Sequence, residues 1–253
     1  MNNIFLSVII PAYKEATRIG STLVDLDKYF KKVSYDYEII VVNDGSPDAT
    51  VETVNSYIPQ VRNLQLVNNR INKGKGYAVY TGMSQARGKY RLFMDADNSV
   101  GINNIENFIE ETKKGYDTVI GSIALSEAEV TEHNGWHRRF FGSISKFLIR
   151  KIATPGIYDT QRGFKLFTDY AAKIIFPKQT IYRFGFDIEL LVIARTNGLM
   201  IKELPVKWDN PDGSTVRGSD YFKTFFELFN IIFNKIQGVY NPKSRVFTEK
   251  VKG

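Results

Sequence analysis

Three short runs rich in β-branched and other apolar residues, Leu6 to Ile10, Glu38 to Val42 and Tyr90 to Met94, recur with stretches of helical spacing between them. Strands that alternate with helices predict βαβ units and a mostly parallel sheet, an α/β fold class. The runs are near-continuous rather than alternating, so both faces of the sheet are expected to be covered by helices. The intervening helices are expected over Ile19 to Lys32 and Asp48 to Ile58, the second with Ser46 as N-cap and Pro47 at its first position. A short run at Leu64 to Val67 precedes a loop and a helix over Gly74 to Ala86, and Thr118 to Ile123 reads as a further strand.

After Ile123 the organisation changes. Ser126 to Asn134 is polar and reads as a loop, which divides a first part, residues 1–130, from a second, residues 131–253, within one continuous domain. The second part is expected to contain a helix over Arg138 to Ala153, with apolar residues on one side and a basic cluster around it. A helix over Phe186 to Asn197, a strand over Met200 to Val206 and an aromatic-rich helix over Tyr221 to Gln237 are expected to follow.

Charge divides along the same line. Residues 1–130 carry 14 Lys and Arg against 16 Asp and Glu, whereas residues 131–253 carry 20 against 11. The basic excess thus belongs to the second part, which suggests an anionic partner or, more plainly, a solvated face. Cysteine is absent, which excludes disulfides, thiolate zinc sites and cysteine nucleophiles. The apolar start at Ile4 to Ile10 lacks the basic lead of a signal peptide and reads as a buried strand. No stretch reaches the roughly 18 apolar residues of a spanning helix, so the chain is expected at most to lie on a membrane surface.

In open α/β sheets ligands bind at the carboxyl ends of the strands. The three early strands end in Pro11-Ala12-Tyr13-Lys14-Glu15, Asn43-Asp44-Gly45-Ser46 and Asp95-Ala96-Asp97. Each taken alone is ordinary turn chemistry, but together they bring carboxylates to one edge. If the extended geometry persists past the third strand, Asp95 and Asp97 share a face and converge on one hard cation. Mg2+ or Mn2+ held by one or two carboxylates takes its remaining ligands from phosphate oxygens and water, which points to a phosphorylated substrate.

The segment Asn72-Lys73-Gly74-Lys75-Gly76 precedes a predicted helix, so its amides and ammonium groups are candidates for phosphate binding. A flexible basic turn is the competing reading. It lacks the ending of a Walker loop and the third glycine of a dinucleotide fingerprint.

These motifs, in this order, resemble the nucleotide-sugar half of family 2 inverting glycosyltransferases with the GT-A (Rossmann-like) fold. The likeness continues through Asp159-Thr160-Gln161-Arg162-Gly163-Phe164-Lys165-Leu166-Phe167, Arg183-Phe184-Gly185-Phe186-Asp187-Ile188-Glu189 and Leu204-Pro205-Val206-Lys207-Trp208. That second half is similar to polyprenyl-phosphate (dolichyl-phosphate) glucosyltransferases and their mannosyltransferase relatives. The chain departs from the pattern at Ile123 and Thr215, where many relatives carry an arginine and a lysine.

The resemblance implies a metal-dependent, inverting transfer of a hexose to a polyprenyl phosphate, with UDP-glucose favoured as donor over GDP-mannose. It implies that Pro11, Ala12, Tyr13, Glu15 and Asp44 hold the base and ribose, and that Asp95, Ala96 and Asp97 engage the metal and diphosphate, with Lys75 and Arg217 nearby. Asp97 and Asp187 become the candidate catalytic carboxylates, Asp187 as a base if the acceptor is a hydroxyl. An acceptor that is already an anion needs only placement, in which case Asp187 and Glu189 orient arginines or line the acceptor pocket. Arg138, Arg139, Gln161, Arg183 and Asp187 are the acceptor candidates.

A lipid phosphate acceptor gives the basic second part and its amphipathic helices a reason, with the protein peripheral at the cytoplasmic face of a membrane. The plainer alternative is that those helices pack on each other or across a homodimer. A family 2 enzyme acting on a soluble saccharide or a protein, and a non-catalytic nucleotide-sugar binder, are the other readings. No nucleic-acid motif is present, and nucleic acid is not an expected partner.

Overall fold

The computed structural model describes residues 4–124, 154–208 and 218–242. Seven strands form one sheet: β1 (Leu6–Ala12), β2 (Tyr37–Asp44), β3 (Leu64–Asn69), β4 (Tyr90–Met94), β5 (Thr118–Ser122), β6 (Phe164–Thr168) and β7 (Ile201–Pro205). Their order is β3-β2-β1-β4-β6-β5-β7. All neighbours run parallel except β6, which is antiparallel to both β4 and β5. The sheet therefore crosses the expected boundary at residue 130: β6 is inserted between β4 and β5, and β7 pairs with β5.

The continuous apolar runs resolve into two faces. Leu6, Val8 and Ile10 of β1, with Ile39 and Val41 of β2 and Leu92 of β4, enter one core with α1 (Ile19–Phe30), α2 (Thr50–Tyr57) and α4 (Ile105–Lys113). Ile9, Ile40, Val42 and Phe93 enter the other, against α3 (Lys75–Gln85), α5 (Asp169–Ile175), α6 (Phe186–Thr196) and α7 (Gly218–Ile236). Successive strand residues point to opposite faces, and here both faces are dry, so each must be apolar.

One local expectation differs, and three elements are additional. The second helix starts at Thr50 with Ala49 as its N-cap, not at Ser46. Ser46 instead accepts a bond from the Lys14 amide, and Asp48 takes the Thr50 amide and hydroxyl, so the turn chemistry falls two residues later. Helices α4 and α5 and strand β6 are not anticipated by the apolar pattern. The expected loop at 126–134 and helix at 138–153 lie outside the described residues, as do Arg138, Arg139, Thr215 and Arg217. Among the described residues no helix is long and apolar enough to cross a membrane.

Candidate active site

Strand β1 keeps its pairing through Pro11 and Ala12, which lie opposite Val42 and Asn43. The chain then turns at Lys14, which has a positive φ of 59°. The turn is held by the Ser46 hydroxyl on the Lys14 amide, at 3.1 Å, and the Thr50 hydroxyl on the Glu15 amide, at 2.9 Å. This leaves the Tyr13 ring 38% exposed, accessible to a stacking partner. Glu15 is forked by Arg18, with Nε to Oε2 at 2.8 Å and Nη2 to Oε1 at 2.7 Å. Burial pushes the Glu15 carboxyl up against the pull of Arg18, and Asp97 and Asp95 add to the rise. The ends of β1 and β4 thus face one another electrostatically.

Asp44, buried at the end of β2, uses both carboxylate oxygens on the glycine-lysine segment. Oδ1 accepts from the Lys73 amide at 2.9 Å and Oδ2 from the Gly74 amide at 2.8 Å. These two amides are therefore occupied and do not form the expected phosphate cradle. Gly74 sits at φ +107° with Tyr182 O only 2.4 Å from where a Cβ would lie, so only glycine fits between the strand ends and α6. Burial raises the Asp44 carboxyl, while the two amides, Arg183 and Lys73 oppose the rise. Arg183, expected as an acceptor contact, is brought to Gly74, beside Asp44 at the end of β2. A recess of about 140 Å³, lined by Asn69, Arg70, Ile71, Lys73 and Tyr77, adjoins it.

Beyond β4 the extended geometry does not persist. The chain turns, with the Asn98 amide on Asp95 O and the Ser99 amide on Asp97 Oδ1 at 3.0 Å. Asp95 and Asp97 still act on the same neighbours, since both raise Glu15 and both support the charge on Lys75. Lys75 Nζ lies 2.5 Å from Asp95 Oδ1. Burial works against the Lys75 charge, yet Asp95, Asp187 and Asp97 together push the ammonium above its ordinary range.

Asp187, in the first turn of α6, is 4% exposed and pairs with Lys165 of β6 at 2.5 Å. Lys165, itself fully buried, also donates to Arg162 O at 2.5 Å. Burial raises the Asp187 carboxyl, and Lys165 and Lys75 oppose the rise. Both lysines stand within 6 Å of the Phe93 ring, Lys75 at 5.3 Å and Lys165 at 5.7 Å. Lys165 was missed by sequence reasoning. Its signal was a lone lysine inside an apolar strand, which needs a buried carboxylate partner.

Among the described residues Glu189 orients no arginine. It accepts from the Thr180 and Ile181 amides, the Thr180 hydroxyl and the Tyr240 hydroxyl, and so fastens the turn before α6 and the end of the described chain. Gln161 is exposed, and its amide donates to Asp159 Oδ1 at 3.3 Å.

Among the described residues no three His, Asp or Glu side chains form a ligating cluster. Asp95 and Asp97, just after β4, are the carboxylates that could take part in holding a hard divalent ion, with Asp95 already paired to Lys75.

The fold covers 95% of this chain and 77% of mannosyl-3-phosphoglycerate synthase from Rubrobacter xylanophilus, with a TM-score of 0.68 at 13% identity. That likeness, together with the mixed sheet of this order, makes the fold GT-A-like. The chain belongs to glycosyl transferase family 2, whose model matches residues 7–176. It is similar to a dolichyl-phosphate beta-glucosyltransferase of Trichomonas vaginalis, at 38% identity over 96% of this chain and 77% of the relative. The dolichyl-phosphate beta-glucosyltransferase of Dictyostelium discoideum is 35% identical over 96% and 79%.

Proposed function

We propose that this glycosyltransferase moves a hexose from a nucleotide sugar to a polyprenyl phosphate of the dolichyl type, with UDP-glucose the favoured donor and GDP-mannose the alternative. The activity for which its relatives are named supports the acceptor class. The observation that carries the reading is the pairing of Asp187. A hydroxyl acceptor needs a free base, whereas this buried carboxylate is already bound to Lys165. An acceptor phosphate arrives as an anion and needs no base.

In this mechanism an acceptor phosphate oxygen attacks the anomeric carbon as the bond to the leaving diphosphate breaks, and the configuration inverts. Tyr13 stacks the base, and Glu15 and the strand ends at Pro11 and Ala12 frame the nucleoside. Asp44 keeps the 73–74 backbone in place beside it. Asp95 and Asp97 would hold Mg2+ or Mn2+, which supplies charge neutralisation for the departing diphosphate. Lys75 leans on Asp95 and adds a cation where that charge develops. Asp187 and Lys165 fix the floor of the cleft rather than move a proton.

The apolar side chains of Phe226, Phe229, Phe233 and Ile236 are exposed on α7, spaced for one helix face. This supports docking at a lipid surface, where such an acceptor resides.

The test is transfer from radiolabelled UDP-glucose or GDP-mannose to polyprenyl phosphate, polyprenol or a soluble saccharide, with and without Mn2+. Label should enter the organic phase only with the phosphate acceptor and the divalent ion. Equal transfer to polyprenol or saccharide would sink the reading.

A further inference from the structure

Arg162 occupies the junction between β6 and the ends of β5 and β7. Its Nε donates to Asp159 Oδ2 at 2.9 Å, and its guanidinium carbon lies 4.9 Å over the Trp208 ring. The same Asp159 oxygen accepts the Ile123 amide at 3.2 Å, which ties the arginine to the end of β5. Asp159 is fixed in turn, because its amide and that of Tyr158 donate to Glu203 of β7 at 2.7 and 2.9 Å. The Arg162 carbonyl is held by Lys165. Backbone, plane and Nε are therefore all constrained.

Both Nη groups have no hydrogen-bond partner among the described residues, and the side chain is 28% exposed. A stacked guanidinium with one edge anchored and the other open is pre-organised for bidentate binding of a phosphate. Its place on the edge says which phosphate. Glu15 and Asp44 lie at the ends of β1 and β2, Asp95 at the end of β4, and Arg162 on the far side of Asp95, beside β5 and β7. An inverting displacement brings the nucleophile from the side opposite the leaving group. An anion held at Arg162 thus lies across the reaction centre from the nucleotide.

We infer that Arg162 is the cation that binds the phosphate of the acceptor and aims it at the anomeric carbon. This rests on the transfer reading above, but binding can be tested without turnover.

In a Trp136→Phe background, which leaves Trp208 as the single tryptophan, farnesyl phosphate should change the emission of Trp208 while farnesol does not. Arg162→Gln should abolish that change and raise the KM for farnesyl phosphate at least tenfold, with the Kd for UDP-glucose held within twofold. Arg162→Lys should recover part of the affinity. Inorganic phosphate should compete with farnesyl phosphate in the parent protein and not in Arg162→Gln. An unchanged KM, or an equal loss of UDP-glucose affinity, would overturn the assignment, the second by moving Arg162 to the donor. Should the glutamine variant fail to fold, Arg162→Met preserves the packing on Trp208 and reads the same quantities. Farnesyl phosphate binding that depends on Arg162 without any transfer would remove the proposed reaction and leave this site standing.

Discussion

Gly163 and Asp95 contend for one space: a Cβ at residue 163 would lie 2.0 Å from Asp95 Oδ2. The two residues are also joined by the Asp95 amide on Gly163 O at 3.0 Å. The glycine before β6 is therefore what allows the carboxylate after β4 to take its place. Gly163→Ala should force the Asp95 side chain away and cost about 1–3 kcal/mol of stability, as overpacking does. Mn2+ should then give little of the thermal stabilisation expected of the parent protein. Calorimetry with and without Mn2+ reads both effects, and an alanine variant with parental Mn2+ response refutes the coupling.

The Lys165–Asp187 pair predicts a non-additive mutant series. Lys165→Met leaves a buried carboxylate without its partner and should cost about 3–5 kcal/mol, whereas a Lys165→Met, Asp187→Leu double variant should regain most of it. Urea unfolding of the parent, the Lys165→Met and Asp187→Leu single variants and the double variant measures this. A double variant no more stable than the single one would show that the pair is not the dominant contact at either residue.

Asp44→Ala removes the acceptor of two backbone amides and should cost about 1–3 kcal/mol, the usual penalty for stranded buried donors. Nucleotide affinity should fall with it, because the segment from Lys73 to Lys75 loses its anchor. Titration of UDP by isothermal calorimetry is the check, and unchanged affinity would separate the loop from nucleotide binding.

Glu38 sets an acid-side limit. Burial acts to raise its carboxyl, but bonds from Ser7 and Arg87 outweigh that and hold it below the ordinary 4.5. A carboxyl depressed in the folded state contributes stability above the unfolded value, and that contribution is lost as the pH falls through the folded value. The melting temperature should therefore decline below about pH 4.5 more steeply in the parent protein than in Glu38→Gln. Parallel curves would contradict this.

The acidic strand ends were legible because their chemistry is local: an apolar run followed by a carboxylate needs no knowledge of the rest of the chain. Strand β6 was not, since Lys165 breaks its apolar pattern and its pairing with β4 is set by packing across more than sixty residues of sequence. The same distance hid Gly163, whose need for a bare backbone comes from Asp95 and from nothing near it in the chain. The glycine-lysine segment does lie against the ends of β2 and β4, but two of its amides go to Asp44, a contact that forms only once β2 and α3 are docked. Asp95 and Asp97 met the same neighbours by a turn, not by the extended spacing their sequence suggested.

The antiparallel course of β6 has a geometric consequence for the whole cleft. Strands β1, β2 and β4 deliver their acidic residues on leaving the sheet, but β6 is preceded by Arg162 and Gly163 as the chain enters it. The junction of Asp95 and Gly163 is thus gripped from both directions by the ladder, and the spacing of Arg162 from Asp95 is set by strand register. A slip of one residue in β6 would shift Arg162 and Gly163 together against Asp95, so their spacing is gauged by the sheet like the jaws of a fixed calliper.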